Sequence, residues 1–450
     1  MERVAPSQIN YDNQLPIAIS SKSQRREFFP EGGSIYGPNG GGKPNIVRIP
    51  INADSMLDCQ NSYLKFELVT KTNTCGLDLP QSFIKRLRIL SGGTVLEDID
   101  QYGRLYAGIL YPSQANRANV KGEGLRSGQV QHYDALDDSV ATYNLLGSYR
   151  MPATDSLLVG THQGYCIQLA SGLLNLDKYI PLVMMNAGFI IELELDVNGS
   201  IGIMETNTTG KWEIHNPRYV AHLIDLERDF YDRLRMVMEG SGGVLQLAGQ
   251  TFRHYSGQIA SEVPKATINI PARVKSIKSI FFKNTIESAI TTFNTFGISS
   301  GPTHGITEYQ FRVGSVVYPP NSVKCTTGNS MTNTALGRGE AFNELEKAFG
   351  NLSSHSIGSE LLDGFTYHIS DNSASGPKNS AILGPYGLDF EAFNRSAIEN
   401  GVNSSDRSLP ITLDLTMASA TIVGGTTLDV YVLCDAIFYV NLDGTCSVSI

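Results

Sequence analysis

The sequence has little of what marks a metalloprotein, a disulfide-stabilised domain or a sugar-binding module. Its six cysteines are scattered, with no C-x-x-C pair and no histidine at metal-ligand spacing, so free thiols are expected rather than disulfides or a zinc site. Trp212 is the single tryptophan, and there is no D-x-D-x-D loop for calcium. We therefore expect no metal ion and no other cofactor.

Positive charge and long hydrophobic runs are also scarce. A formal net charge of -9 argues against a surface built to bind nucleic acid, and no sequence-specific nucleic-acid binding is expected. The longest apolar stretch, residues 180–191, contains Pro, Asn and Gly and is much shorter than the about 20 residues that span a bilayer. The first residues have no apolar core typical of a secretory signal. These absences predict a soluble, intracellular protein.

What the chain does contain is a large number of β-strand patterns. With 41% hydrophobic and 18% charged residues over 450 positions, it has the length of two or three folded domains. Apolar and polar side chains alternate in residues 47–51, 64–68, 191–197, 309–313, 411–417 and 428–432. This period of two predicts strands with one buried and one solvated face, as in antiparallel sandwiches.

Three helices are predicted between the strands. Extended runs on either side of the Ser-Gly-Gly segment at 91–93 predict a hairpin, and residues 102–110, which follow it, have an apolar stripe at helical spacing. Residues 226–237 form a second stripe that stops at a Gly-Ser-Gly-Gly segment, and residues 340–349 form a third that ends at Gly350. A helix as short as the first is marginal alone, so it must pack on a larger element.

The order of these elements repeats along the chain. In the second half a strand at 309–317, a predicted Pro-Pro turn and a polar loop lead to a helix, as the hairpin of the first half does. Two sandwiches would give this repeat, so we predict an all-β fold of two tandem eight-stranded antiparallel jelly rolls with a few short helices. The predicted division is a flexible N-terminal arm (1–44), a first jelly roll (45–225), a linking helix and Gly-Ser hinge (226–243) and a second jelly roll (244–450).

Two segments match catalytic motifs only in part. Residues 37–44, GPNGGGKP, have the glycine and lysine spacing of a phosphate-binding loop, but Pro44 replaces the Ser or Thr that would hold magnesium. A flexible Gly-rich arm is the preferred interpretation. Residues 297–301 match the G-x-S-x-G nucleophile motif with His304 nearby, yet polar loop flanks them on both sides.

Histidines and acid pairs give no stronger signal. The eight histidines contain no H-x-x-x-H pair, so each is interpreted singly as a loop or strand-surface residue. Asp98 and Asp100, like Glu192 and Glu194, are acids at i, i+2 spacing. Such pairs could serve glycoside hydrolysis, but the solvated face of a sandwich produces them routinely. We predict that the chain is not an enzyme and has no catalytic, cofactor-binding or metal site.

With these residues laid out, the sequence resembles the double jelly-roll major capsid proteins of adenoviruses, membrane-containing tailless phages, large DNA viruses, virophages and polinton-like viruses. The similarity extends over nearly the whole chain and is carried by residues 49–69, 86–105, 307–323, 386–416 and 428–448. The length and the last two segments are most similar to the coats of polinton-like viruses and virophages. At 450 residues the chain is shorter than many members, which leaves limited room for tall surface towers.

The resemblance implies a structural protein of the virion, a homotrimer whose six barrels form a pseudo-hexameric capsomer that tiles an icosahedral viral shell. Its partners would be neighbouring capsomers and the penton and minor or cement capsid proteins. It would reside in the capsid shell and, during assembly, inside the host cell. Two alternatives stay open, a tandem β-sandwich carbohydrate-binding protein and a paired jelly-roll enzyme that processes glycans.

Two further expectations concern specific segments. Leu105 and Ile109 should seat the first helix on its sandwich, so Asp at either position should be strongly destabilising, whereas replacing Arg104 should be nearly silent. The arm 1–44 has five basic and four acidic residues, too little excess charge to package a genome. It should be flexible, contribute little to folding, and dock beneath the capsomer against an adjacent trimer or a minor capsid protein.

Overall fold

The structure is a computed structural model of the chain, and two β-sandwiches that follow one another along the sequence make up most of it. It describes residues 19–38, 42–72, 75–77, 81–114, 162–196, 203–205, 211–260, 263–286, 306–325, 335–350, 367–368, 382–383, 385–392, 398–406, 408–417 and 426–450.

The first sandwich is built from two antiparallel sheets. Its described strands are β1 (Ser21–Phe28), β2 (Ile35–Tyr36), β3 (Ile46–Ile51), β4 (Met56–Thr72), β5 (Cys75–Leu77), β6 (Ile84–Ser91), β7 (Thr94–Asp100), β8 (His162–Ile167), β9 (Ile180–Pro181), β10 (Phe189–Leu195), β11 (Ile203–Glu205) and β12 (Lys211–Leu226). One sheet has the order β1-β12-β4-β8 and the other the order β3-β10-β6-β7. The short strands β2 and β9 extend the first sheet, and β5 pairs with β11 in a separate ribbon.

The second sandwich has the same construction. Its described strands are β13 (Val244–Ile259), β14 (Lys265–Ile270), β15 (Ile277–Ile286), β16 (Ile306–Val313), β17 (Val316–Lys324), β18 (Tyr367–His368), β19 (Ile382–Leu383), β20 (Tyr386–Asp389), β21 (Ile411–Met417), β22 (Thr426–Asn441) and β23 (Cys446–Ser449). The sheet orders are β13-β22-β15-β20, with β23 added beside β22, and β14-β21-β16-β17.

The two strand orders are identical when the strands are matched one to one. The strands β1, β3, β4, β6, β7, β8, β10 and β12 correspond to β13, β14, β15, β16, β17, β20, β21 and β22. In each half the first strand pairs with the last, and the two sheets exchange strands in the order that defines a jelly roll. The prediction of two tandem eight-stranded antiparallel jelly rolls is confirmed.

Helices occupy equivalent places in the two halves. The bounds are α1 (Tyr102–Leu105), a π-helical turn (Tyr106–Leu110), α2 (Tyr111–Gln114), α3 (Arg228–Gly240) and α4 (Ala335–Ala348). The first three form one continuous segment after the β6–β7 hairpin, and α4 follows the β16–β17 hairpin in the same way. The amide of Gly243, which has a positive φ, closes the end of α3 by donating to the Met238 carbonyl at 2.7 Å. The predicted hairpin and the three predicted helices are confirmed, apart from the π-helical turn.

The core lies between the two sheets of each sandwich, because alternation directs every second side chain there. In the first sandwich Ile49, Leu87 and Ile191 are almost completely buried. In the second, Phe282 and Tyr386 stack with ring centroids 4.9 Å apart. The apolar side chains that the sequence pattern singled out therefore form these cores.

The second half of the predicted flexible arm is part of the first sandwich, so that expectation is wrong for residues 21–36. The strand β1 pairs with β12 along its whole length, and Phe28 and Tyr36 are buried. The Tyr36 hydroxyl donates to the Glu31 carbonyl at 2.7 Å. The physical reason is that β1 pairs with backbone N–H and C=O groups of β12 that would otherwise be unpaired at the edge of the sheet, as β13 does for β22. Residues 1–18 lie outside the described part of the chain.

The predicted Pro-Pro turn is also wrong, because Pro319 and Pro320 lie inside β17. The chain reverses earlier, at Gly314, whose φ is +59°. Among the described strands, β17 lies at the edge of its sheet and pairs with β16 alone. The register with β16 shifts between Tyr318 and Val323, so both prolines lie in a bulge and remove no ladder hydrogen bond.

Candidate functional site at the junction of the two sandwiches

The motif-like segments form no catalytic site among the residues that the structure describes. The Gly37 amide donates to the Pro44 carbonyl at 3.0 Å, which brings the two ends of residues 37–44 together. The nucleophile-like residues 297–301 and His304 lie outside the described residues. Within the described ranges, no three His, Cys, Asp or Glu side chains are placed to hold a metal ion. The helices in those ranges are too short or too polar to cross a bilayer.

Most acids of the two pairs are matched by basic side chains on the β3-β10-β6-β7 sheet. Asp98 accepts two hydrogen bonds from Arg86, at 2.7 and 2.6 Å, and this contact raises the pKa of Arg86. Glu192 lies between Arg48, at 3.3 Å, and Arg88. Glu192 is buried, so the expectation that it sits on a solvated face is wrong. Ion pairs across neighbouring strands stabilise a sheet, and these acids contribute to structure in that way.

The two sandwiches meet where β7 and α1 of the first pack on β13 and β22 of the second. The strand β7 is the edge of its sheet, so one of its sides can take up contacts with another element. Gln101 ends the strand with a left-handed φ of 49°, and its carbonyl starts α1 by accepting from the Arg104 and Leu105 amides. The same carbonyl accepts a hydrogen bond from the Tyr431 hydroxyl at 2.9 Å. A local turn thus positions the first helix against the second sandwich.

Glu97 of β7 is the centre of this junction and is completely buried. Its carboxylate accepts hydrogen bonds from the Gly172 amide at 2.8 Å, the Leu173 amide at 3.4 Å and the Ser171 hydroxyl. From the second sandwich, Thr251 on β13 donates its hydroxyl at 2.8 Å. Burial raises the pKa of Glu97, and the hydrogen bonds oppose that rise. One acid therefore organises a loop of its own sandwich and ties it to the other.

A second polar cluster joins Asp100 and Arg104 of the first sandwich to His254 and Asp429 of the second. His254 Nε2 lies 3.0 Å from Asp429 Oδ1, and its Nδ1 lies 3.7 Å from Asp100 Oδ2. Arg104 donates to Asp429 at 3.1 Å. Burial disfavours the charged imidazole, but the two carboxylates outweigh it and the pKa of His254 is raised. With His254 protonated, two positive groups face two negative ones, so the charges of the cluster balance.

This cluster overturns two expectations. His254 is a buried group between two acids and not a surface residue. The position of Arg104 off the apolar stripe predicts that its replacement has almost no effect on stability, but Arg104 is paired with the buried Asp429. Leu105 and Ile109 are fully buried, as the stripe predicted. The stripe describes the face of the helix toward its own sandwich, whereas Arg104 faces the other sandwich.

The backbones approach so closely at two points that only glycine fits. A Cβ on Gly172 would lie 1.6 Å from the Gln250 carbonyl oxygen of the second sandwich. A Cβ on Gly444, which has a φ of +81°, would lie 2.4 Å from Asn186 Cγ of the first. The Asn186 amide donates to the Gly444 carbonyl at 3.1 Å. A larger side chain at Gly172 would force the sandwiches apart, whereas at Gly444 the positive φ is what favours glycine.

A cleft of about 520 Å³ opens beside this junction, between the 170–177 loop and the end of α4. Its charged lining residues include Asp177, Lys278 and Glu391. The Lys278 ammonium contacts Glu391 and lies 3.5 Å from Asp435. Because the ammonium is held by two carboxylates, the group is suited to stabilising this corner of the second sandwich.

Sequence reasoning missed Glu97 and His254. Glu97 follows the buried Leu96, and nothing in its spacing separates it from the acids of the β10-β6-β7 sheet. His254 lies in a strand in which most other polar residues are exposed or partly exposed. The only available signal was that both interrupt otherwise regular strands, and that signal is shared by many surface residues.

The architecture is similar to that of proteins of known structure, although no sequence match was found. No protein-family model and no curated protein sequence matches this chain significantly. Among solved structures, it is similar to PBCV-1 VP54, in a crystal structure fitted into a reconstruction of the virophage Sputnik, with a TM-score of 0.61 and 10% identity over 98% of this chain and 99% of that chain. For the Faustovirus major capsid protein the TM-score is 0.56 and the identity 9%, over 95% and 92% of the two chains.

The mavirus major capsid protein gives a further likeness, with a TM-score of 0.53 and 11% identity over 100% of this chain and 95% of that chain. These matches extend over both sandwiches and not over one alone. At identities this low they establish a shared fold that spans the whole chain.

Proposed function

We propose that this chain is a viral major capsid protein that trimerises into pseudo-hexameric capsomers, which tile an icosahedral shell. Its role is structural and not catalytic, and its place is the virion. Neighbouring capsomers, the penton and minor or cement proteins are its proposed partners, besides two further copies of itself.

One observation carries the proposal. Two jelly rolls of identical strand order are docked so that the edge of the first lies on the face of the second. A contact of this head-to-tail kind can be repeated between chains, and it closes into a ring when the rotation permits. Three chains would supply six sandwiches for such a ring. The whole-chain likeness to capsid proteins supports this interpretation.

The buried polar junction supports it further. Glu97 and the His254 cluster hold the two sandwiches in one orientation, and a subunit that tiles a shell needs a fixed angle between its parts. The acids and bases of this junction contact one another and stabilise the packing of the two sandwiches.

Sedimentation of the purified chain tests the proposal. A species of three times the 48.9 kDa chain mass that persists on dilution, and hexagonal outlines in negatively stained images, are the expected results, since obligate interfaces bury thousands of Å². A stable folded monomer would contradict the proposal. A monomer that binds glycans would instead favour the carbohydrate-binding alternative.

A further inference from the structure

One lysine and two acids lie together at a corner of the second sandwich. Lys278 is on β15, Asp435 is on the neighbouring strand β22, and Glu391 follows β20 on the other side of β15. Their side chains are only 5%, 6% and 7% exposed. The Lys278 ammonium contacts Glu391 Oε1 and lies 3.5 Å from Asp435 Oδ1. Three charged groups are therefore buried at one place, and removing such groups from water is costly even when they are paired.

The backbone holds Lys278 in this position. The register between β15 and β22 shifts after Ile277 and resumes at Ser279, so Lys278 is the extra residue of a bulge. A bulge bends its strand and changes the direction of a side chain. The Phe390 amide donates to the Lys278 carbonyl at 2.7 Å, which keeps the next residue, Glu391, beside the lysine. The amine is thus placed between two carboxylates.

The second carboxylate oxygen of Asp435 is held by two donors. Its Oδ2 accepts from the Ser276 hydroxyl at 2.7 Å and from the Glu399 amide at 2.8 Å. The hydroxyl is oriented, because its oxygen accepts from the Gly401 amide at 3.1 Å. Glu399 has a φ of 59°, a left-handed conformation that is uncommon outside glycine. The two donors are placed to stabilise negative charge on Oδ2, as the donors of an oxyanion hole do.

We propose that Lys278 and Asp435 condense to an amide, an isopeptide bond between β15 and β22, with Glu391 as the base that carries protons. The bond lies within one chain and does not depend on the proposed trimer. Condensation reduces the buried charges at this corner from three to one, because the ammonium and the Asp435 carboxylate both become neutral. The bond also closes a long loop, and covalent loop closure stabilises a fold by restricting its unfolded state.

The atoms of this step balance without a co-reactant. One ammonium proton passes to Asp435 Oδ1, which leaves a neutral amine facing a carboxylic acid. The amine attacks Cγ, and the two donors stabilise the charge that develops on Oδ2. Glu391 removes a second proton from the nitrogen and delivers it to Oδ1. The bond from Cγ to Oδ1 then breaks, and one water leaves through the cleft that Lys278 and Glu391 line.

The mass of the intact chain tests the proposal. The denatured wild-type chain should be lighter than its sequence by the mass of one water, and its digest should contain a branched peptide that joins Lys278 to Asp435. Lys278→Arg keeps the positive charge without the amine, and Glu391→Gln keeps the shape without the base, so both should have the full mass. Lys324→Arg is the matched control, since Lys324 contacts Glu308 in an exposed ion pair, and it should keep the deficit.

Each result supports or overturns the bond. A wild-type chain of full mass without the branched peptide means that this corner holds an ion pair only, and the proposal is wrong. A deficit that persists in Lys278→Arg places the loss of water elsewhere and also overturns it. A deficit that persists in Glu391→Gln overturns the role of Glu391. Because the branched peptide is sought in the wild-type chain, the test holds even where a variant fails to fold.

Discussion

Replacing Glu97 with alanine should separate the contribution of the junction from that of the two sandwiches. The carboxylate is completely buried and accepts from two backbone amides, Gly172 and Leu173, and two hydroxyls, Ser171 and Thr251. Alanine removes all four acceptor contacts at once. It also leaves a void next to a loop that touches the second sandwich.

The size of the effect follows from the donors that remain. The two hydroxyls can rotate toward other acceptors, but the Gly172 and Leu173 amides are held by the backbone. A buried donor without a partner costs about 1–3 kcal/mol, so two such amides predict a loss of about 2–6 kcal/mol. That is a large fraction of a total stability of about 5–15 kcal/mol. For a domain of this size the midpoint of thermal unfolding should fall by roughly 10 °C.

Calorimetry and hydrogen exchange read out this prediction. The melting temperature measures the total loss, and exchange locates it, because the Gly172 and Leu173 amides should lose their protection in Glu97→Ala. Glu194→Ala is the matched control, since Glu194 pairs with Lys85 at 3.0 Å in a partly exposed contact that should contribute only about 0–1 kcal/mol. Equal melting temperatures for the two variants, or unchanged protection of the loop amides, would refute the structural role given to Glu97.

Three other predictions follow from the same contacts. Leu105→Asp places a charge in a fully buried position and should cost about 3 kcal/mol or more. Arg104→Ala leaves the buried Asp429 with one cation fewer and should cost about 1–3 kcal/mol. Equal stability of Arg104→Ala and wild type in urea would show that the pair is unimportant. The pKa of His254 in the folded state is raised, so the stabilisation by its positive charge is complete below about pH 6.5 and is lost as pH rises through the folded pKa. The melting temperatures of wild type and His254→Gln should therefore differ most near pH 6 and converge at alkaline pH. A constant difference would contradict this. Deleting residues 2–40 removes β1 and should destabilise the first sandwich, which circular dichroism can follow; an unchanged melting temperature would show that β1 is dispensable.

Local signals were sufficient for much of the fold. The alternation in residues 411–417 predicts a strand because side-chain direction in a strand depends only on neighbours two positions away, and β21 has those bounds. The glycines after residue 237 and at Gly350 mark helix ends for an equally local reason. Since the same elements recur in the same order, the sequence also contained the evidence for two jelly rolls.

These local signals could not predict which strands lie at sheet edges or which elements pack together. The pattern of residues 21–28 is polar and irregular and predicts a flexible arm, yet the strand β1 forms because its backbone pairs with β12 along its whole length. Pro319 and Pro320 have the sequence pattern of a turn, but a bulge opposite β16 accommodates both within the edge strand β17. In both cases the deciding contact lies with another strand, and no local period reports it.

The sequence by itself determined the strands, their alternation and their repetition, because these depend on residues a few positions apart. Only the tertiary structure decided which charges are buried and paired. Thr251 is 154 positions from Glu97, and Asp429 is 325 positions from Arg104. A carboxylate on a strand has the same sequence pattern whether it meets water or another sandwich, and its environment depends on which distant surface packs against it.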